Sequence, residues 1–189
     1  MRGRGEGYAE RRERRAAVED PAVVLDAAAR FLETRSRSVA EVRRRLTGAG
    51  YRPELVEGAI VRLADLGMLD DEAFARAWVE SRDRARPRGE RALQNELRLK
   101  GIDRAVIELV LEDRRAAEGI VLAPDREAAE RLLAKHARSL DRIADPRRRR
   151  ERAYALLARN GFDPETCREV AARVTARDEG DDLDHGLSR

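Results

Sequence analysis

Three glycines set the frame of this chain. Gly50, Gly101 and Gly161 each follow a leucine by four residues, at Leu46, Leu97 and Leu157, and each precedes a large apolar residue, Tyr51, Ile102 or Phe162. Six positions past the glycines stand Val56, Ile107 and Cys167, and nine positions past stand Ala59, Val110 and Val170. Asp, Pro or both follow each time, at Pro53, Asp103 and Asp163-Pro164. One physical plan fits all three passages. The leucine packs in the last turn of a helix, and the glycine takes the left-handed conformation that residues with a Cβ resist. The apolar residue then folds back, and a capped helix begins. Self-similarity of this kind marks a repeat architecture. The spacing predicts three tandem three-helix modules that lean on one another, because units this small bury little alone.

Capping chemistry and apolar periodicity place the boundaries. Residues 1–19 carry Gly3, Gly5 and Gly7 and no apolar stripe, and read as a flexible arm of mixed charge with helix near its end. Module one spans 20–69. Asp20-Pro21 opens a helix with Val24, Ala28, Phe31 and Leu32 on one face, Ser38 and Glu41 form a capping box for the next, and Pro53 opens the third. Module two spans 70–115, with helix starts at Asp70-Asp71, after Pro87-Gly89, and at Asp103. A linker follows over 116–124. Module three spans 125–176, with starts at Asp125, Asp145-Pro146 and Asp163-Pro164, and 177–189 reads as an acidic flexible tail.

The composition supports an all-α fold. Arg, Ala, Leu and Glu dominate, and only 4% of residues are aromatic, so helix formers outweigh the residues that favour sheets. The expected shape is an elongated, curved array of helices with flexible tails. Charged residues make up 41% of the chain, yet the net charge is only +3. Asp178, Glu179, Asp181, Asp182 and Asp184 concentrate acid at the C-terminus, which leaves the body more basic. Such a body binds polyanions if its arginines share a face; the same composition also suits a helical surface laced with salt bridges.

Several function classes drop out. The single Cys167 forbids an intramolecular disulfide, and its place in the column of Val56 and Ile107 makes it a core residue. No apolar run approaches the ~20 residues that span a bilayer, and the N-terminus lacks the apolar stretch of a secretory signal, so a cytoplasmic protein without membrane association is expected. No phosphate loop, dinucleotide fingerprint, zinc spacing or nucleophile elbow is present, and His136 and His185 have no partner at ligand or triad spacing. No cofactor, metal or catalytic residue is expected. Phe74 and Trp78 are expected to glue modules together.

The second module carries a specific resemblance. Leu69-Asp70-Asp71-Glu72-Ala73-Phe74-Ala75 leads into Trp78-Val79 and Arg82, then Pro87-Arg88-Gly89, Leu93, Glu96-Leu97 and Lys100-Gly101-Ile102. This resembles the signature of RecX-family recombination regulators, and Arg35-Ser36-Arg37-Ser38, Glu41-Val42, Leu46 and Gly50 resemble the family's first module. The likeness covers about residues 22–175 and is weakest in module three, where 116–124 is longer than usual and Ala153 replaces a larger apolar residue. It implies a non-enzymatic protein of DNA repair, homologous recombination and the SOS response. Such a protein binds RecA filaments on single-stranded DNA and restrains their ATPase, strand-exchange and coprotease activities.

Basic residues recur where the first helix of each module turns into the second. They are Arg35, Arg37, Arg43, Arg44 and Arg45 in module one, and Arg82, Arg84, Arg86, Arg88 and Arg91 in module two, joined by Lys100 at the end of its middle helix. In module three they are Arg147, Arg148, Arg149, Arg150 and Arg152. These are the residues expected to meet RecA or DNA, although consecutive arginines on a helix point around its whole circumference. The alternatives are a helical module whose main function is binding single-stranded or duplex DNA, and an interaction array with another target. A monomer is expected.

Overall fold

The structure is a computed structural model that describes residues 7–117 and 124–184, with side chains for 7–116 and 125–174. Ten helices and no strand occur among the described residues: α1 Tyr8–Ala16, α2 Pro21–Leu32, α3 Val39–Ala49, α4 Pro53–Asp65, α5 Asp71–Ala85, α6 Glu90–Leu99, α7 Arg104–Ala117, α8 Pro124–Leu140, α9 Pro146–Arg159 and α10 Pro164–Asp184. Helices α2–α4, α5–α7 and α8–α10 correspond to the three modules read from the repeat.

The helices start where the capping residues dictate. The Asp20 carboxylate accepts from the Ala22 N–H at 2.9 Å, with Pro21 in the first turn. Ser38 and Glu41 complete their capping box: the Ser38 hydroxyl accepts from the Glu41 N–H at 3.2 Å, and the Glu41 carboxylate accepts from the Ser38 N–H at 3.3 Å. Asp70, Asp103, Asp145 and Asp163 cap α5, α7, α9 and α10 in the same way.

Helices also stop as the glycines require. Gly50, Gly101 and Gly161 have φ of 103°, 80° and 84°. In the first and third modules the next residue reaches back across the turn, Tyr51 N–H to Leu46 O at 3.3 Å and Phe162 N–H to Leu157 O at 3.4 Å. Val24, Ala28, Val42, Leu46, Val56, Ala59, Ile60, Leu63 and Leu69 form one core. Ala128, Leu132, Ala153, Leu157, Phe162, Cys167 and Val170 belong to another. Ala153 is fully buried, so the smaller residue at this position still serves as core.

By packing, the chain divides into two compact units, one of residues up to Ala75 with Arg98–Val106, the other of Arg76–Leu97 and the chain from Ile107 onward. Each contains a joint of the same construction. In the first, the Ser38 hydroxyl at the start of α3 donates to Lys100 O at 2.7 Å, and the Val39 N–H donates to the Asp71 carboxylate at 2.9 Å. Gly101 lies so close that a Cβ there would stand 2.4 Å from the Ala40 Cβ. In the second, the Gly89 N–H at the start of α6 donates to Asn160 O at 3.0 Å, and the Glu90 N–H donates to Asp125 at 2.9 Å. A Cβ on Gly161 would stand 2.4 Å from the Ala92 Cβ. Each joint seats the start of a middle helix on a C-cap glycine and on the carbonyl just before it.

Three sequence expectations change. Asp125 lies inside the first turn of α8 and accepts from Glu90, so its carboxylate serves the joint. The helical end expected of the arm is α1, and it is docked where a mobile segment was expected; residues 1–6 lie outside the described part. Tyr8, Arg12 and Arg15 share one face of α1 and approach Gly48–Tyr51. That face uses arginine stems in place of apolar residues, which hydrophobic periodicity does not register. Helix α10 runs to Asp184, through most of the segment read as a flexible tail. Of the linker, residues 118–123 lie outside the described part; 116–117 end α7 and 124 begins α8.

Candidate functional site

Gly50 and Gly101 stand 51 positions apart, and that offset carries one module onto the next. It also superposes two side-chain clusters at the turns between first and second helices. In module one the Phe31 ring lies between two guanidiniums, Arg37 at 4.2 Å and Arg45 at 5.6 Å from its centre. Arg37 also donates to Thr34 Oγ1 at 3.2 Å. In module two the corresponding residues are Arg82, Arg88 and Glu96. Glu96 is the hub: it accepts from Arg82 Nε at 2.6 Å and from Trp78 Nε1 at 2.8 Å, and its other oxygen lies 3.6 Å from Arg88 Nε. Arg82 stacks 4.3 Å over the Trp78 ring, and Arg88 Nη1 donates to Asn160 Oδ1 at 2.5 Å. Trp78 is therefore a half-buried member of this surface cluster; Phe74 is buried.

The structure sorts the predicted basic residues into two groups. Many hold the fold's own acids. Arg43 forms a two-pronged pair with Glu57 at 2.6 and 2.7 Å, which raises the guanidinium and lowers the carboxyl from their ordinary pKa values. Lys100 Nζ lies 2.9 Å from Glu41, and Arg35 lies 3.4 Å from the same oxygen. Burial pushes the Glu41 carboxyl up, but the Lys100 bond, the Ser38 N–H and the nearby charges outweigh it and hold it below its ordinary value. Arg84 pairs with Glu80 along α5. Arg147 and Arg148 lie 3.4 and 3.6 Å from Glu151 and Asp145, at exposed positions where such pairs contribute little. Arg149 is buried and donates to Ile143 O at 3.0 Å, so it belongs to the scaffold.

Arg44, Arg86, Arg91, Arg150 and Arg152 form the second group. They are exposed and have no side-chain partner among the described residues. Arg150 lines a cleft of ≈ 390 Å³ with Glu151, Tyr154, Arg168, Ala171 and Ala172, between α9 and α10. Sequence reasoning missed Glu96 as organiser and Tyr154 and Arg168 as neighbours of Arg150. The 51-residue offset placing Glu96 opposite Arg45 was the available signal for the first. Nothing in the sequence marked the second.

No group of metal-ligating side chains occurs among the described residues, and none of their helices is long and apolar enough to cross a membrane. His136 is exposed; His185 lies outside the described part. Cys167 is fully buried, and burial first, then Asp163 nearby, raises its thiol pKa.

Tandem three-helix modules, joined through helix starts seated on C-cap glycines and faced with arginine, define a helical-repeat protein. Family models for the RecX first and second three-helix domains match residues 25–63 and 70–111. The regulatory protein RecX of Mycobacterium leprae is 39% identical over 151 residues, covering 79% of this chain and 85% of that protein. The RecX of Mycobacterium avium is 35% identical over 79% of this chain and 84% of its own. The crystal structure of RecX from Lactobacillus salivarius has a similar fold, with a TM-score of 0.69 at 20% identity over 82% of this chain and 97% of that one. The chain belongs to the RecX family of regulatory proteins.

Proposed function

We propose that this protein is a cytoplasmic, monomeric and non-enzymatic regulator that binds RecA filaments on single-stranded DNA. It would restrain their ATP hydrolysis, strand exchange and coprotease activity. Membership of the RecX family carries the reading. The exposed guanidiniums of Arg44, Arg86, Arg91 and Arg150 support it, because among the described residues they pair with no acid, and they suit phosphates or an acidic protein surface. RecA ATP hydrolysis on single-stranded DNA should fall when the protein is added at substoichiometric amounts. Arg86→Glu with Arg91→Glu should weaken that effect without loss of helical content. Unchanged hydrolysis with RecA of the same organism would overturn the reading.

The same free arginines favour one second reading, a protein whose main function is DNA binding. That reading requires tight binding without RecA, falling with salt at a log–log slope of about −0.7 for each phosphate neutralised on single strands.

A further inference from the structure

The two joints described above share one acceptor pattern: a C-cap glycine and the carbonyl just before it, Lys100 with Gly101 and Asn160 with Gly161. Module one has the same two elements in Ala49 and Gly50, and among the described residues no three-helix module stands before it. Helix α1 occupies the place. Arg15 Nη1 donates to Ala49 O at 3.4 Å, and the Tyr8 hydroxyl donates to Gly48 O at 3.3 Å. A Cβ on Gly50 would lie 2.5 Å from Arg12 Cγ and 2.9 Å from Arg12 O, the same crowding that Ala40 and Ala92 impose at the other two glycines. Three different donors, a serine hydroxyl, a glycine N–H and a guanidinium, thus address equivalent carbonyls. The Arg15 guanidinium also sits 5.8 Å from the Tyr51 ring, and Val18 just beyond α1 packs on the module-one core.

We propose that Leu46–Tyr51 is a third docking socket of the same construction, and that α1 is its built-in plug, a single helix standing where the middle helix of a preceding module would sit. The opposite end of the repeat is closed by different chemistry. Helix α9 begins Asp145-Pro146; the Asp145 carboxylate takes the Arg147 and Arg148 N–H groups at 2.9 and 3.4 Å, and proline has no N–H. The start of α9 therefore lacks the first-turn N–H that Val39 and Glu90 donate to Asp71 and Asp125, and so does not reproduce that part of the joint. The occupant is supplied in cis. The plug is held by polar contacts, and Tyr8 remains 66% exposed. Few buried apolar contacts place α1 among the elements that open first.

Hydrogen exchange on the full-length protein tests this, independently of what the protein regulates. In the variant Arg12→Glu, Arg15→Glu, the Gly50 and Tyr51 amides should exchange about five- to tenfold faster, as expected when an opening equilibrium loses a charge-assisted hydrogen bond. The equivalent Gly161 and Phe162 amides should not change. Release of α1, seen in its own amides, with Gly50 and Tyr51 unaffected would overturn the proposal. If the double variant loosens the whole fold, Tyr8→Phe removes only the hydroxyl bond to Gly48 O. Faster exchange confined to Gly50 and Tyr51 would then support the plug, and none would refute it.

Discussion

Replacing Arg114 with leucine should cost about 3 kcal/mol, for a reason specific to its surroundings. The Arg114 side chain is 7% exposed and donates twice to Asp83, at 2.9 and 2.9 Å, and once to Asp125 at 2.7 Å. One guanidinium thereby ties α5, α7 and α8. Burial works against its charge, but the two carboxylates outweigh burial and raise its pKa above the ordinary value. Without it, Asp83 and Asp125, 23% and 16% exposed, lose the cation between them. Removing one partner of a buried ion pair costs about 3–5 kcal/mol, and the residual access of water to Asp83 places this case at the low end. For a chain of this length the loss corresponds to a Tm lower by about 6–12 °C.

Urea titration followed by circular dichroism at pH 7 would measure it. A loss under about 1 kcal/mol, the range of exposed pairs, would refute the reasoning. The 51-residue offset supplies a second arm. Leu32 and Leu63 occupy in module one the places of Asp83 and Arg114, and Leu63 is 1% exposed while Leu32 packs against the same core. Replacing a buried ion pair with apolar residues of similar size is often close to neutral. The double variant Asp83→Leu, Arg114→Leu should therefore be more stable than Arg114→Leu alone.

Three further outcomes follow from the packing. Gly161→Ala should destabilise by more than about 2 kcal/mol, since it adds a clash with Ala92 to a φ of 84°. Gly67→Ala, at φ 67° with nothing within 4 Å of the new Cβ, should cost only the backbone strain, about 1 kcal/mol, in the same thermal melts. Cys167→Val should cost less than about 1.5 kcal/mol, because the equivalent positions hold Val56 and Ile107, and the native thiol should react with a thiol reagent only on unfolding. Glu41 and Asp163 have lowered folded pKa values, so their stabilisation is present above their ordinary values of 4.5 and 3.8 and is lost as pH falls through the lowered ones. Asp71, raised chiefly by burial, acts in the opposite direction. Tm measured from about pH 6 to pH 3 should fall less steeply for Glu41→Gln than for wild type.

The repeat made most of the fold legible, because its signals are local: a glycine that must be left-handed, a leucine one turn earlier, an acid or proline at the next helix start. The docking of helix α1 escaped because its docking face is Tyr8, Arg12 and Arg15, which reads as solvated polar sequence until Gly50 is seen beneath it. Asp125 read as a cap because nothing local reveals that Glu90, 35 residues away, needs its carboxylate. The surface was legible in kind and not in detail. Arginines at the helix turns were evident, but which have partners depends on acids such as Glu57 and Glu96, 14 residues from Arg43 and Arg82.

That sorting governs how the surface can be probed. Arg88 holds Glu96 and Asn160, and Lys100 holds Glu41 while its carbonyl receives Ser38. Charge reversal at either would place like charges beside a half-buried acid within or next to a joint, so lost regulation would report on the fold. Arg86 lies two residues from Arg88 on the same turn, yet it is exposed and has no side-chain partner among the described residues; Arg91 and Arg44 are in the same position. Reversal at these three removes surface potential and leaves every described hydrogen bond intact. A regulatory effect that survives Arg88→Glu only in proportion to remaining folded protein, and that fails for Arg86→Glu with Arg91→Glu at full stability, would locate the partner-facing charge on the exposed side of this turn.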